Sequence, residues 1–170
     1  MNPSHDYKKQ VVREYAERYN CRTLVETGTY LGEMVEAMIP HFDRIISVEL
    51  SIPLFFDAVQ KFLNIPKVSI WGGDSGKLMP DVCRFLKGNV LFWLDGHYSE
   101  GITARGDKDC PVLDEINAIE QYHKAIGQGT TWVILIDDAR LFDGVNWPHL
   151  DEVYNPERDD LEYDIIRRIL

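Results

Sequence analysis

The chain lacks several features, and each shortage excludes a class of protein. No apolar run approaches the roughly 20 residues that a membrane-spanning helix needs, and the first residues, MNPSHDYKK, carry no apolar core of a secretory signal. Cysteine is scarce: Cys21, Cys83 and Cys110 show no metal-ligand spacing, and an odd number makes a poor disulfide framework. A reducing, cytoplasmic compartment is therefore expected. Positive charge is also short, with 18 Lys and Arg against 28 Asp and Glu and a formal net charge of -10. Affinity for a nucleic-acid backbone comes mostly from Lys and Arg, so neither nucleic acid nor membrane is expected as a partner. There is no internal repeat and no low-complexity linker.

What is present suits an ordinary globular protein. Of 170 residues, 45% are hydrophobic and 27% charged, near the averages for such proteins. The length predicts one domain over residues 1–170, on a prior of about 150 residues per domain. A domain of this size buries roughly 70% of its unfolded surface and needs no staples. The acidity is uneven: Asp137 to Asp164 holds 10 acids and 2 bases in 28 residues. Most of these acids read as a solvated face, but Asp137 and Asp138 end an apolar run.

Apolar runs alternate with amphipathic stretches. A helix is predicted over about Asp6–Tyr19, with Val11, Val12, Tyr15 and Tyr19 on one face. The strand Thr23–Glu26 follows, then a Gly-bearing turn from Thr27 to Gly32 and a helix from Glu33 to about Ile39 that Pro40 closes. Arg44–Glu49 is a second strand, followed by a helix from about Pro53, a residue suited to a first helical turn, to Leu63. Val68–Trp71 is a third strand, and Ser75–Leu86 a helix in which Pro80 predicts a kink or a late start. Val90–Leu94 and Trp132–Ile136 are apolar throughout, as strands buried on both faces are. Between them lie a polar loop, Gly96–Asp109, and a helix from Pro111 to about Ala125. Tyr163–Leu170 reads as one more strand.

This alternation predicts an α/β fold, a doubly wound, mostly parallel Rossmann-like sheet with helices on both sides. Such sheets bind ligands at the carboxyl ends of their strands. The residues found there are Glu26, Glu49, the run Gly72-Gly73-Asp74, Asp95, and Asp137-Asp138. Acids end every strand, which packing does not explain.

The first turn reads Glu26-Thr27-Gly28-Thr29-Tyr30-Leu31-Gly32. Gly28 permits a tight turn and close approach of a ligand, and Gly32 permits close packing of the next helix. The dinucleotide fingerprint G-x-G-x-x-G is not met, because position 30 is Tyr. An acid before the turn disfavours a pyrophosphate and suits a cationic, amino-bearing ligand. Glu49, 23 positions after Glu26, has the place of an acid that accepts hydrogen bonds from a ribose. Asp74 and Ser75 can meet an adenine amino group or cap the helix that follows.

ETGTYLG, VEL, GGDS, LDGH and IDDA, in this order, resemble class I S-adenosylmethionine-dependent methyltransferases over about Thr23–Ala139. The nearest types are metal-dependent O-methyltransferases of the catechol and macrocin kinds. The resemblance implies a cofactor site of Glu26, Thr27, Gly28, Thr29, Tyr30, Gly32, Glu49, Asp74, Ser75 and Asp95. It also implies a divalent cation, Mg²⁺, on Asp95, Asp137 and Asp138, and an acceptor with a hydroxyl group, sugar-like in the macrocin kind. Converging carboxylates repel one another, and a hard cation relieves that repulsion; capping of a loop by Asp137 or Asp138 is the alternative.

The catechol type places a Lys three positions after the fourth-strand Asp, where this chain has Tyr98; the macrocin type has an acid two positions after, where this chain has His97. His97, with Asp95 beside it, is the expected catalytic pair, because a neutral imidazole can take a proton from an acidified hydroxyl. Ser99–Lys108, with Gly101 and Gly106, is a candidate cover for the substrate, and Arg105 and Lys108 candidate contacts to an anionic acceptor. Leu141–Trp147 is aromatic enough to line an acceptor pocket. The methyltransferase sheet ends in an antiparallel pair, and only one candidate strand is visible. Its C-terminal strands are therefore expected to be shortened, or covered by a second copy in a homo-oligomer. No separate recognition domain is apparent, which favours a small-molecule acceptor. Three rival readings remain open: a cofactor-binding protein without chemistry, an NAD-dependent oxidoreductase, and a metal-dependent hydrolase.

Overall fold

The structure, a computed structural model, describes residues 4–96, 110–138, 141–145, 147–153 and 165–169, the last segment and residue 151 by their backbone only. His97, Tyr98 and the stretch Ser99–Lys108 lie outside the described residues, as do Ala139 and Asn146.

The elements in chain order are α1 (His5–Arg18), β1 (Thr23–Thr27), α2 (Glu33–Met38), β2 (Arg44–Glu49), α3 (Ile52–Phe62), β3 (Val68–Gly72), α4 (Ser75–Arg84), β4 (Val90–Leu94), α5 (Val112–Ile126), β5 (Trp132–Ile136), α6 (Leu150–Val153) and β6 (Ile165–Ile169). Every helix and strand expected from the sequence is present, with ends shifted by a residue or two. Local chemistry accounts for the starts. The Ser4 hydroxyl caps α1 by accepting from the Tyr7 N–H at 3.2 Å, and Pro53 falls in the first turn of α3. Asp74 caps α4 by accepting from the Lys77 N–H, so this helix starts on time despite Pro80 inside it.

The six strands form one sheet in the order β3-β2-β1-β4-β5-β6, each adjacent pair parallel. The apolar strands β4 and β5 are flanked on both sides by other strands and are buried along their whole length. Alternate residues feed two cores, because successive side chains of a strand point to opposite faces. Val25, Phe92 and Ile134 pack with α4 and α5, whereas Leu24, Leu91 and Leu135 pack with α1, α2 and α3. The rings of Phe92 and Trp132 stand 5.3 Å apart in the first of these cores.

Among the described residues a single strand follows β5, in keeping with the expected shortening of the sheet. The last strand does not join an antiparallel pair; β6 lies parallel to β5, from Trp132 beside Ile165 to Ile136 beside Ile169. A parallel neighbour needs a crossover of a dozen residues or more, and the stretch from Asp137 to Asp164 has 28. Part of that crossover, α6, packs on α5.

Phe92 is wholly buried between the sheet and the α4–α5 layer. Phe92→Ala should cost about 3–5 kcal/mol, the range for deleting a buried ring, read as a lower urea midpoint with an unchanged slope.

Candidate functional site

The strand order reverses direction between β1 and β4, where a doubly wound sheet opens a crevice at its carboxyl edge. The turn after β1 is built for close approach. Gly28 has φ +83°, and a Cβ there would collide with the carbonyl oxygen of Asp95 at the end of β4. Gly32, at φ +74°, begins α2, and a Cβ on it would lie 2.8 Å from the Phe62 ring. Its glycine thus serves packing against α3 rather than against the strand. Between them Tyr30 is held at φ 48°, a left-handed conformation unusual for a residue with a side chain.

Two carboxylates fix this turn. Glu49, at the end of β2 and 5% exposed, accepts from the Tyr30 N–H and from the Ser51 N–H, both at 2.8 Å. Each of its oxygens keeps a second lone pair for a ligand. Glu26, 2% exposed, accepts a short hydrogen bond from the Ser47 hydroxyl, which lies 2.6 Å from the Thr29 hydroxyl. Burial pushes the Glu26 carboxyl up to about 8; the Ser47 bond opposes that rise and the charge of Glu49 adds to it. Ser47 escapes sequence reasoning, though it is the lone small polar residue among the apolar positions of RIISVE.

On the other face of the sheet, Thr27 and Ser75 donate to Glu115 of α5, and the Asp95 N–H donates to the Thr27 hydroxyl at 3.3 Å. Ser75 is therefore turned toward α5, while Asp74 serves as the helix cap, as one of its two expected roles requires. Glu115 is 1% exposed, burial raises its carboxyl to about 7, and its Oε1 has no hydrogen-bond partner. It borders a small pocket, with room for about one water, shared with Gly96, Ile136, Asp137, Phe142 and Trp147. The aromatic stretch expected near an acceptor thus contributes Phe142 and Trp147.

The third group of acids is Asp95, Asp137 and Asp138. Asp95 is pushed well above the ordinary carboxylate range, first by burial and next by the charge of Asp137, with Lys8 pulling the other way. Lys8, from α1, reaches the end of β5 and forms a buried ion pair with Asp137 Oδ2. The other oxygen of Asp137 accepts from the Asp138 N–H at 2.8 Å. Asp138 itself sits at φ 58°. The structure therefore brings Glu26, Asp95, Asp137 and Asp138 together, and adds Lys8, which no sequence motif marks.

No family model and no curated protein matches the sequence. Solved structures do. The O-methyltransferase TomG from Streptomyces achromogenes, solved in complex with SAM, is 15% identical with a TM-score of 0.56, over 89% of this chain and 64% of its own. The SAH-bound methyltransferase PaMTH1 from Podospora anserina is 15% identical with a TM-score of 0.56, over 84% of this chain and 56% of its own.

The chain has the class I methyltransferase fold. It spans less than two thirds of either relative, and its last described strand runs parallel where the full methyltransferase sheet has an antiparallel pair. Within this methyltransferase fold the expected cofactor residues all lie at the carboxyl edge, at the ends of β1 to β4. The expected divalent cation fits less well. Both oxygens of Asp137 are engaged by the chain's own donors, one of them a full positive charge. Among the described residues no three His, Cys, Asp or Glu side chains gather in a metal-holding group. His97, the expected base, lies outside the described residues. Cys21, Cys83 and Cys110 are free thiols that burial pushes up to about 12, unsuited to act as nucleophiles.

Glu26 makes stability depend on pH. Folded Glu26 keeps its proton up to about pH 8, whereas the unfolded chain loses it near 4.5. Its contribution is thus full below the lower value and is lost as pH rises through the upper one. The melting temperature of the cofactor-free protein should fall between pH 6 and pH 8.5, and Glu26→Gln should flatten that fall. An equal fall in the variant refutes the assignment.

Proposed function

We propose that the chain is an S-adenosylmethionine-dependent methyltransferase acting on a hydroxyl of a small acceptor. The observation that carries this reading is the pair of buried acids around one glycine turn at the sheet's switch point. Glu49, whose oxygens keep spare lone pairs, suits a ribose, and the buried Glu26 beside the glycine turn suits an amino-bearing ligand. The SAM and SAH bound to the two structural relatives agree with it.

When bound, the cofactor supplies an electrophilic methyl group on a positively charged sulfur. The turn from Glu26 to Gly32 holds its amino-acid part, with Gly28 letting the turn close against the end of β4 and Gly32 letting α2 close against α3. Glu49 takes the ribose hydroxyls on its spare lone pairs. Asp74 and Ser75 border the adenine, and Asp95 bounds the cleft on the β4 side. The chain's main contribution to rate is orientation, because in-line transfer needs the acceptor oxygen, carbon and sulfur aligned. The acceptor's proton must go to a base. His97 keeps that role on its position in the sequence. Glu115 is a second candidate, because it lines a small pocket beside the end of β4 with one oxygen unpartnered and its carboxyl raised to about 7. A bound Mg²⁺ is not part of this reading, given the engagement of Asp137 by Lys8.

One observation favours a second reading. The all-parallel order β3-β2-β1-β4-β5-β6 is also that of dinucleotide-binding sheets, and an acid at the end of β2 serves an NAD ribose equally well. Tyr30 in place of the middle glycine weighs against it.

Calorimetric titration with S-adenosylhomocysteine, with NADH alongside, separates the two. One-to-one saturable binding of S-adenosylhomocysteine is expected, with none of NADH. Glu49→Gln should weaken that binding about 10–100-fold, as loss of a charged acceptor does. Saturable NADH binding without S-adenosylhomocysteine binding overturns the proposal.

A further inference from the structure

We propose that Lys8 is the resident cation of the acidic sheet edge: its ammonium is paired with Asp137 at the end of β5 and neutralises the acid that a divalent ion would otherwise need. Two observations converge. Lys8 is 7% exposed and Asp137 2%, so neither charge is left to water, and a buried charge without a partner costs far more than an exposed one. The Lys8 Nζ donates to Asp137 Oδ2, while the Asp138 N–H donates to Oδ1, so the chain itself occupies both oxygens of the central acid.

The helix explains how the ammonium arrives. Lys8 stands on the same stripe of α1 as Val11, Val12 and Tyr15, the side chains that bury this helix against the sheet. That side of the helix faces the sheet and brings the charge to the end of β5. Docking of α1 and neutralisation of the acids are therefore one event. A divalent ion meets a position already neutralised and must displace a covalently tethered competitor to bind.

The charge balance of the edge does not depend on which cofactor the cleft takes, so the test uses the cofactor-free protein. Thermal melts are recorded for the unaltered chain, Lys8→Met, Asp137→Asn and the double variant, each with 10 mM MgCl2 or with NaCl of equal ionic strength. The unaltered chain should melt within about 1 °C in the two salts. Lys8→Met should melt about 10 °C lower, since removing one member of a buried pair strands the other, and MgCl2 should recover part of that loss where NaCl does not. The double variant should melt above Lys8→Met and be indifferent to Mg²⁺. A Mg²⁺-specific rise in the unaltered chain that Asp137→Asn abolishes overturns the proposal, as does a Lys8→Met protein that melts normally or ignores Mg²⁺. Should Lys8→Met not fold, the double variant decides: folding supports the proposal, and failure to fold overturns it.

Discussion

Carboxylates crowded on one edge of a parallel sheet need partners before that edge can be buried. Glu26, Glu49, Asp95, Asp137 and Asp138 all lie where the strands end, and four of the five are less than a tenth exposed. Each is accommodated in its own way. Glu49 spends its charge on backbone N–H groups and so locks the glycine turn. Glu26 holds its proton against a serine. Asp137 takes a lysine from the first helix. The position of α1, the strained conformation of Tyr30 and the shape of the crevice all follow from these pairings.

The two faces of this edge differ in a way that suits a ligand lying across it. The face under α1, α2 and α3 carries the charged pairings, with Glu26 and Lys8 inside. The opposite face carries hydroxyls that converge on Glu115, and a small pocket bordered by Phe142 and Trp147. A cofactor laid along the ends of β1 to β4 would have the first set behind its amino acid and ribose. An acceptor at β4 and β5 would face the second. Polar groups fix orientation in such sites, while apolar walls supply most of the contact.

The departure at β6 is confined to the far end of the sheet. A sixth strand parallel to β5 alters the sheet's outer edge and leaves the site itself intact, because the switch point between β1 and β4 depends only on the order of the first five strands. Fold likeness at 15% identity accordingly speaks for the architecture. The chemistry is carried by the acids and the turn between them, since one fold can host many functions.

Strands, helices, their order and the acids at the strand ends were legible in the sequence, because each depends on local periodicity or on the residue next to a turn. VLFWL and WVILI can be little else than buried strands, and ETGTYLG has the spacing of a turn that a backbone must approach closely. The partners of those acids were not legible. Lys8 and Ser47 lie 129 and 21 positions from the acids they meet, and Glu115 is 40 or more from Ser75 and Thr27. A faint signal existed for two of them: Lys8 is at the core-facing spacing of α1, and Glu115 is on the same stripe of α5 as Val112, Ile116 and Ile119. A charge in a core-facing stripe states that a partner exists but not which one, because that choice belongs to whichever strand end the packed helix happens to face. The sequence by itself thus determined an α/β sheet with an acidic carboxyl edge. Only the tertiary structure decided how that acidity is neutralised, because the neutralising groups meet only when distant helices dock.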